Sequence, residues 1–254
     1  MFTPNQRTSA QHASVIALVW LLGTLLLLQI VPPPIIPRPL EIAEAWWVGV
    51  QNGSLVRALL ASLMLNLEAV ALSTVVSLAI AYSFVVPALR PAVLAVSKLR
   101  YLGFTGLTLA FMLVASGHTL KLSMLVFGMS TFFVTSMLDA IAAIPRDTYD
   151  HARTLRMGPW RVVWEVVVLG TLDKVFESIA MNGAIGWIML TQVEGLVRAE
   201  GGLGVLLLND SRSFNLEGIY ALQFTVFGVA IACDYGFRAL GRLVCPYAAL
   251  GRAE

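Results

Sequence analysis

The chain has 254 residues, of which 58% are hydrophobic and only 13% charged, about half the charged share of a soluble domain. Its mean hydropathy of +0.80 is too high for one soluble core, because a chain of this size must also cover its own surface. A formal charge of +2 without a Lys/Arg-rich block excludes the electrostatic footprint of a nucleic-acid binder.

The solvent that remains is lipid, so the chain reads as an all-α polytopic membrane protein with about six transmembrane helices. Arg7 precedes an apolar run that is too long for a cleaved signal and is followed by Pro32-Pro33-Pro34 rather than a small-residue cleavage site. It is read as an uncleaved first span over 14–31. Trp46 and Trp47 then suit an interfacial helix on the outer face. A second span covers 59–86, interrupted by Asn66 and Glu68, a shorter third covers 101–117, and a fourth covers 120–144. Gly170 to Lys174 divides the next apolar stretch. Residues 173–194 form a fifth span of about 33 Å, matched to a bilayer core of about 30 Å. The preceding 160–169 become a surface helix with Arg161 and Glu165 paired at i,i+4. The sixth span covers 219–240. Cys233 and Cys245 suggest no disulfide framework and read as small apolar side chains.

Charge orients the bundle. With the N-terminus inside, the inner segments hold Arg7, Arg90, Lys98, Arg100, Arg146, Arg153, Arg156, Arg161, Arg238, Arg242 and Arg252. The outer segments hold Arg38, Arg57, Lys121, Arg198 and Arg212. The positive-inside rule therefore predicts N-in, C-in.

One inner loop, 145–160, differs from the rest. Asp147 is expected to cap a helix, with Asp150 near its positive end and Arg153 and Arg156 near its negative end. Gly158-Pro159 is expected to close it. The result is a helix of about ten residues outside the bilayer, able to transmit force to a cytosolic partner. An ordinary basic loop would have the same composition.

The segment Asp150-His151-Ala152-Arg153-Thr154-Leu155 resembles the opening of the EAA loop of ABC importer permeases, the binding-protein-dependent transport family. Trp160 falls where its nitrate/sulfonate/taurine subgroup has Trp. In the same register, Trp187, Glu194, Gly202-Leu203-Gly204 and Asp234 fall on further positions of that subgroup, and Pro37 to Glu41 and Ser62-Leu63 are similar to its N-terminal half. The loop's family Gly falls on Arg156. The resemblance implies a type I importer permease fold in the bacterial inner membrane. It implies a second permease copy or paralogue, a cytosolic ABC ATPase subunit docked on the loop, and an extracytoplasmic substrate-binding protein. Asp150, Ala152, Arg153, Leu155 and Gly158 are the expected ATPase-coupling residues. Relatives carry nitrate, sulfonates, taurine, bicarbonate or small heterocycles. ATP hydrolysis would belong to a separate subunit, because this chain has no Gly-x-x-x-x-Gly-Lys-Ser/Thr loop.

Ionisable groups within spans are functional candidates by default. Glu68 in span two, Asp139 in span four and Asp234 in span six qualify, while Lys174 and Glu177 can pair at i,i+3. Met181, Asn182, Trp187 and Thr191 of span five, with Glu68, are the expected substrate path. Gly183 and Gly186 fit close helix packing equally well. His12, His118 and His151 are dispersed, so no metal site is expected, nor any cofactor or catalytic residue. The alternative function is a degenerate, non-transporting permease-like subunit that scaffolds a heterodimer.

Overall fold

A computed structural model describes residues 10–30, 37–198 and 201–245. Arg7, Pro32-Pro33-Pro34, Glu200 and Arg252 lie outside the described residues. Among those described the secondary structure is helical throughout, without a strand. Helix α1 covers Ala10–Ile30 and α2 covers Pro39–Gln51. Pro39 at the first helical position and an Arg38 N–H donating to Glu41 Oε2 at 2.8 Å start α2. Gly53, at φ 65°, turns the chain directly into α3, Ser54–Ser83. That tight turn is why α3 begins five residues before the expected 59. The Trp46 indole N–H donates to Thr225 Oγ1 at 3.1 Å, and Trp47 stays exposed.

A short helix α4, Arg90–Lys98, lies between two 3₁₀ turns and leads to α5, Phe104–Val114. The expected span over 101–117 is corrected here: α5 has 11 residues, about 16 Å of helix, too short to cross a bilayer alone. It ends because Ala115 and Ser116 are extended and Gly117 adopts φ 57°. Gly117 opens α6, Gly117–Ala142, which packs along α3.

The loop over 145–160 forms α7, Arg146–Thr154, and a single α-turn, α8, Pro159–Val162. The expected surface helix over 160–169 widens into a π-helical turn at Val163–Val168, where the Leu169 N–H reaches back to Trp164 O at 2.9 Å. Arg161 and Glu165 approach to 3.8 Å on it. Helix α9 covers Leu172–Leu196, α10 Leu203–Arg212 and α11 Leu216–Val244.

Among the described residues three helices, α3, α6 and α11, are long and apolar enough, by length and composition, to cross a membrane. At 25 residues α9 is long enough as well, but it carries more polar groups and sits among α3, α6, α10 and α11. The core lies where α3, α6 and α9 meet, around Leu65, Met124, Leu125, Met129, Trp187 and Leu190. Small residues let these backbones approach. A Cβ at Gly183 would lie 2.7 Å from the Phe237 ring, and one at Gly186 would collide with Asn66 Oδ1. Both glycines are therefore sites of helix packing.

Candidate functional site

Two regions combine exposure with chemistry. The first is α7. Its N-cap is Pro145, so Asp147 does not cap the helix as expected but lies in its first turn, where a carboxylate still favours the positive end. Closure also differs from expectation. The Arg156 N–H donates to Arg153 O at 2.9 Å and the Met157 N–H to Ala152 O at 3.4 Å, the two bonds of a Schellman motif. Arg156 itself holds the left-handed conformation at φ 54°, normally taken by Gly because a Cβ is strained there. Gly158 is not the closing residue. Its φ is −65°, it precedes α8, and a Cβ there would meet nothing.

The underside of α7 is held by Ala152, which packs with Val162 and Val166 and with the half-buried Ile144, Tyr149 and Met157. Burial pushes the Tyr149 phenol above its ordinary pKa, so it stays neutral at physiological pH. Asp150, Arg153 and Leu155 point outward, with Arg153 and Asp150 paired at 3.0 Å. Beyond the turn, Trp160 and Trp164 are also exposed at i,i+4.

The second region is the free face of α9. Lys174, Glu177, Met181, Ala184, Ile188 and Gln192 recur at helical spacing and are exposed. The stripe carries an ion pair at its N-terminal end, where Lys174 Nζ meets Glu177 Oε2 at 2.9 Å, and is apolar in the middle. Its C-terminal end opens into a cleft of about 880 Å³ with Thr191, Gln192, Arg198, Ser211, Arg212 and Gln223 in its walls. Nearer the N-terminal end, Met181 and Asn182 line a crevice of about 250 Å³ with Arg100, Asp139 and Ser178.

A buried polar cluster lies beside the larger cleft, where α9 meets α10. Glu194, 1% exposed, accepts the Ser62 hydroxyl at 2.7 Å and the Gly204 N–H at 2.8 Å. The Leu203 N–H donates to Ser62 Oγ at 2.9 Å, so two free amides at the α10 N-terminus are satisfied. Lys121, 3% exposed, donates to Gly201 O at 2.8 Å and acts electrostatically on Glu194. Gly202 has φ 122°, and a Cβ there would collide with the Glu194 carboxylate.

No family model and no curated protein matches the sequence. Among solved structures, the chain is similar to the crystal structure of an amino acid ABC transporter with histidines. The TM-score is 0.59 and the identity 15%, over 78% of this chain and 96% of that one. The chain shares the all-helical fold of that transporter.

Within this fold the expected site residues separate. Met181 lies on the free face of α9 and Thr191 is half-buried near its C-terminal end. Asn182 and Trp187 are each only 2% exposed and turn inward, Asn182 to Ser73 of α3 at 3.2 Å and Trp187 towards Cys233 of α11. Asn182 keeps access to the crevice beside Met181, while Trp187 is core. Glu68 is away from the α9 face, paired with His118 at 2.9 Å. Asp234 pairs with Arg238 at 2.7 Å. Sequence reasoning placed Glu194 and the Gly202–Gly204 segment in register but missed Ser62 and Lys121 as their partners. An excess of buried small polar residues at i,i+4 along α3 was the available signal.

Proposed function

We propose that this chain is the membrane-spanning permease subunit of an ATP-driven ABC importer in the bacterial inner membrane, with both termini in the cytoplasm. It takes a small solute from an extracytoplasmic binding protein, of the nitrate, sulfonate, taurine, bicarbonate or small-heterocycle type carried by the subgroup it resembles. The observation that carries this reading is α7. A helix of nine residues, held to the body by one buried alanine and presenting Asp150, Arg153 and Leu155 outward, is shaped to sit in a groove of a cytosolic ATPase and pass its motion to the spans.

Two copies, or one copy and a paralogue, would face each other across the free stripe of α9. The solute would enter through the outer cleft, cross the apolar middle at Met181, Ala184 and Ile188, and leave past Lys174 and Glu177. Alternation requires only that nucleotide-loaded ATPase and solute-loaded binding protein favour different states of the pair. Glu68, expected on the solute path, pairs with His118 at 2.9 Å.

The test is purification of the tagged chain from its native operon in mild detergent, with mass spectrometry of what accompanies it. Two copies with two ATPase subunits support the proposal. Solute-stimulated ATP hydrolysis should then fall by about tenfold or more in Arg153→Glu, the loss of roughly 1.4 kcal/mol of coupling. One copy beside a different permease favours the scaffold instead, and absence of any ATPase overturns the docking argument.

A further inference from the structure

Between α3, α4 and α6 runs a groove of about 480 Å³ that no residue of α9 lines. Its walls are almost wholly apolar: Leu72, Val76 and Ile80 follow at i,i+4 on α3, Val96 comes from α4, and Leu122 and Val126 come from α6. Because α3 and α6 are bilayer-length apolar helices, an opening along them faces acyl chains rather than water.

Two further observations say what fills it. Ser130, 5% exposed, lines the groove, and its hydroxyl has no hydrogen-bond partner among the described residues. An orphan hydroxyl in hydrocarbon is costly, so an occupant that brings an acceptor is favoured. Ser77 Oγ bonds Ser130 O, which puts Ser130 level with a residue only about 9 Å of helix from the inner end of α3.

That end is cationic. Arg90, Leu94 and Lys98 form the exposed stripe of α4 at i,i+4,i+8, and no Asp or Glu occurs in the sequence between Glu68 and Asp139. Arg90 Nε donates to Phe84 O at 3.2 Å and its guanidinium lies 5.4 Å over the Phe84 ring, which fixes it beside the α3 terminus. Tyr82 and Thr171 hydroxyls meet at 3.2 Å, so this terminus lies on the same side of the bundle as α7.

We propose that the groove is a binding site for one anionic phospholipid of the leaflet on the α7 side. Its acyl chain lies along α3 and α6, an ester carbonyl accepts from Ser130 Oγ, and its headgroup is held by Arg90 and Lys98. Cationic side chains near a surface select lipids of net negative charge over zwitterionic ones. The site depends on α3 and α6 spanning the bilayer, and not on the solute or the ATPase.

The test offers the detergent-purified full chain an equimolar mixture of phosphatidylglycerol and phosphatidylcholine and reads retained lipid by native mass spectrometry. The expected result is one phosphatidylglycerol per chain, retained over phosphatidylcholine. Arg90→Gln with Lys98→Gln should cut that preference by up to roughly 30-fold, about fivefold per cation. Both residues are exposed and Arg90 gives up only surface contacts with Phe84, so the melting temperature in phosphatidylcholine micelles should fall by about 4 °C at most. Ser130→Ala should weaken retention of both lipids alike, and Val126→Trp, which fills the groove, should abolish it. Equal retention of the two lipids by the unaltered chain, or a preference untouched by the double substitution, overturns the proposal. So does disulfide cross-linking between chains through Val126→Cys without retained lipid, which would make a second copy the occupant.

Discussion

Replacing Glu194 by Ala removes the acceptor that joins α3, α9 and α10. The Ser62 hydroxyl and the Gly204 N–H, bonded at 2.7 and 2.8 Å, lose their partner, each at about 1–3 kcal/mol when buried. Lys121, 3% exposed and bonded to Gly201 O, loses the carboxylate whose charge it acts on, at a cost of up to about 3–5 kcal/mol, the limit for a broken buried pair. These losses share groups and do not add, so the expected total is about 3–5 kcal/mol. Lys121→Met should cost a comparable amount. The double substitution Lys121→Met with Glu194→Leu should cost at least about 1 kcal/mol less than the sum, because no charge is then left stranded. Reversible unfolding in mixed micelles, followed by helical circular dichroism, measures all three. Hydrogen exchange at Leu203 and Gly204 should accelerate in Glu194→Ala while α6 amides stay protected. The reasoning fails if Glu194→Ala lies within about 0.5 kcal/mol of the parent, the range of an ordinary surface change, or if the two single costs simply add.

At Arg156, φ 54° strains any residue with a Cβ. Arg156→Gly should therefore stabilise the closure of α7 by roughly 0.5–1 kcal/mol, seen as slower amide exchange at Met157, while Arg156→Ala should give no gain. Gly186→Ala drives a methyl into Asn66 Oδ1 and to within 3.0 Å of Met129 Cε. It should destabilise by about 1–3 kcal/mol, and Asn66→Ala should recover part of that loss in the same unfolding assay. The exposed Asp150–Arg153 pair should add less than about 1 kcal/mol to stability, so Arg153→Glu should leave the melting temperature near the parent's. A large drop would mean that Arg153 holds the fold rather than a partner.

Local relations were legible in the sequence because they depend only on spacing along one helix. Arg161–Glu165 and Lys174–Glu177 meet at 3.8 and 2.9 Å, as their i,i+4 and i,i+3 separations require. The position of α7 could be read from its acidic start and basic finish. Its last turn could not, because Gly158-Pro159 is a stronger stop signal than anything at Arg156, and tertiary contacts of Met157 and Ala152 decide which residue turns left-handed. The short α5 was equally hidden. Hydropathy runs on through Ala115-Ser116-Gly117, and only the backbone angles there reveal a turn inside an apolar stretch.

The misplaced residues share one cause. Asn66 and Glu68 look alike as polar interruptions of an apolar span, yet two residues on a helix are about 200° apart. Asn66 falls in line with Ser62, Ala69, Ser73 and Ser77, all buried against α6 and α9, while Glu68 faces out to His118. A helix in lipid packs through its small and polar side, since apolar side chains gain nothing by leaving the bilayer, so its polar residues, rather than its apolar ones, carry the period. On α9 polar residues lie on both sides: Ser178, Asn182, Gly186, Val193 and Glu194 are buried, whereas Lys174, Glu177, Met181, Ala184, Ile188 and Gln192 are not. The second set is charged towards the helix N-terminus, apolar in the middle and polar towards the C-terminus. That gradient suits a face meeting water at both ends and another protein surface between them, which is what two opposed permease copies would supply.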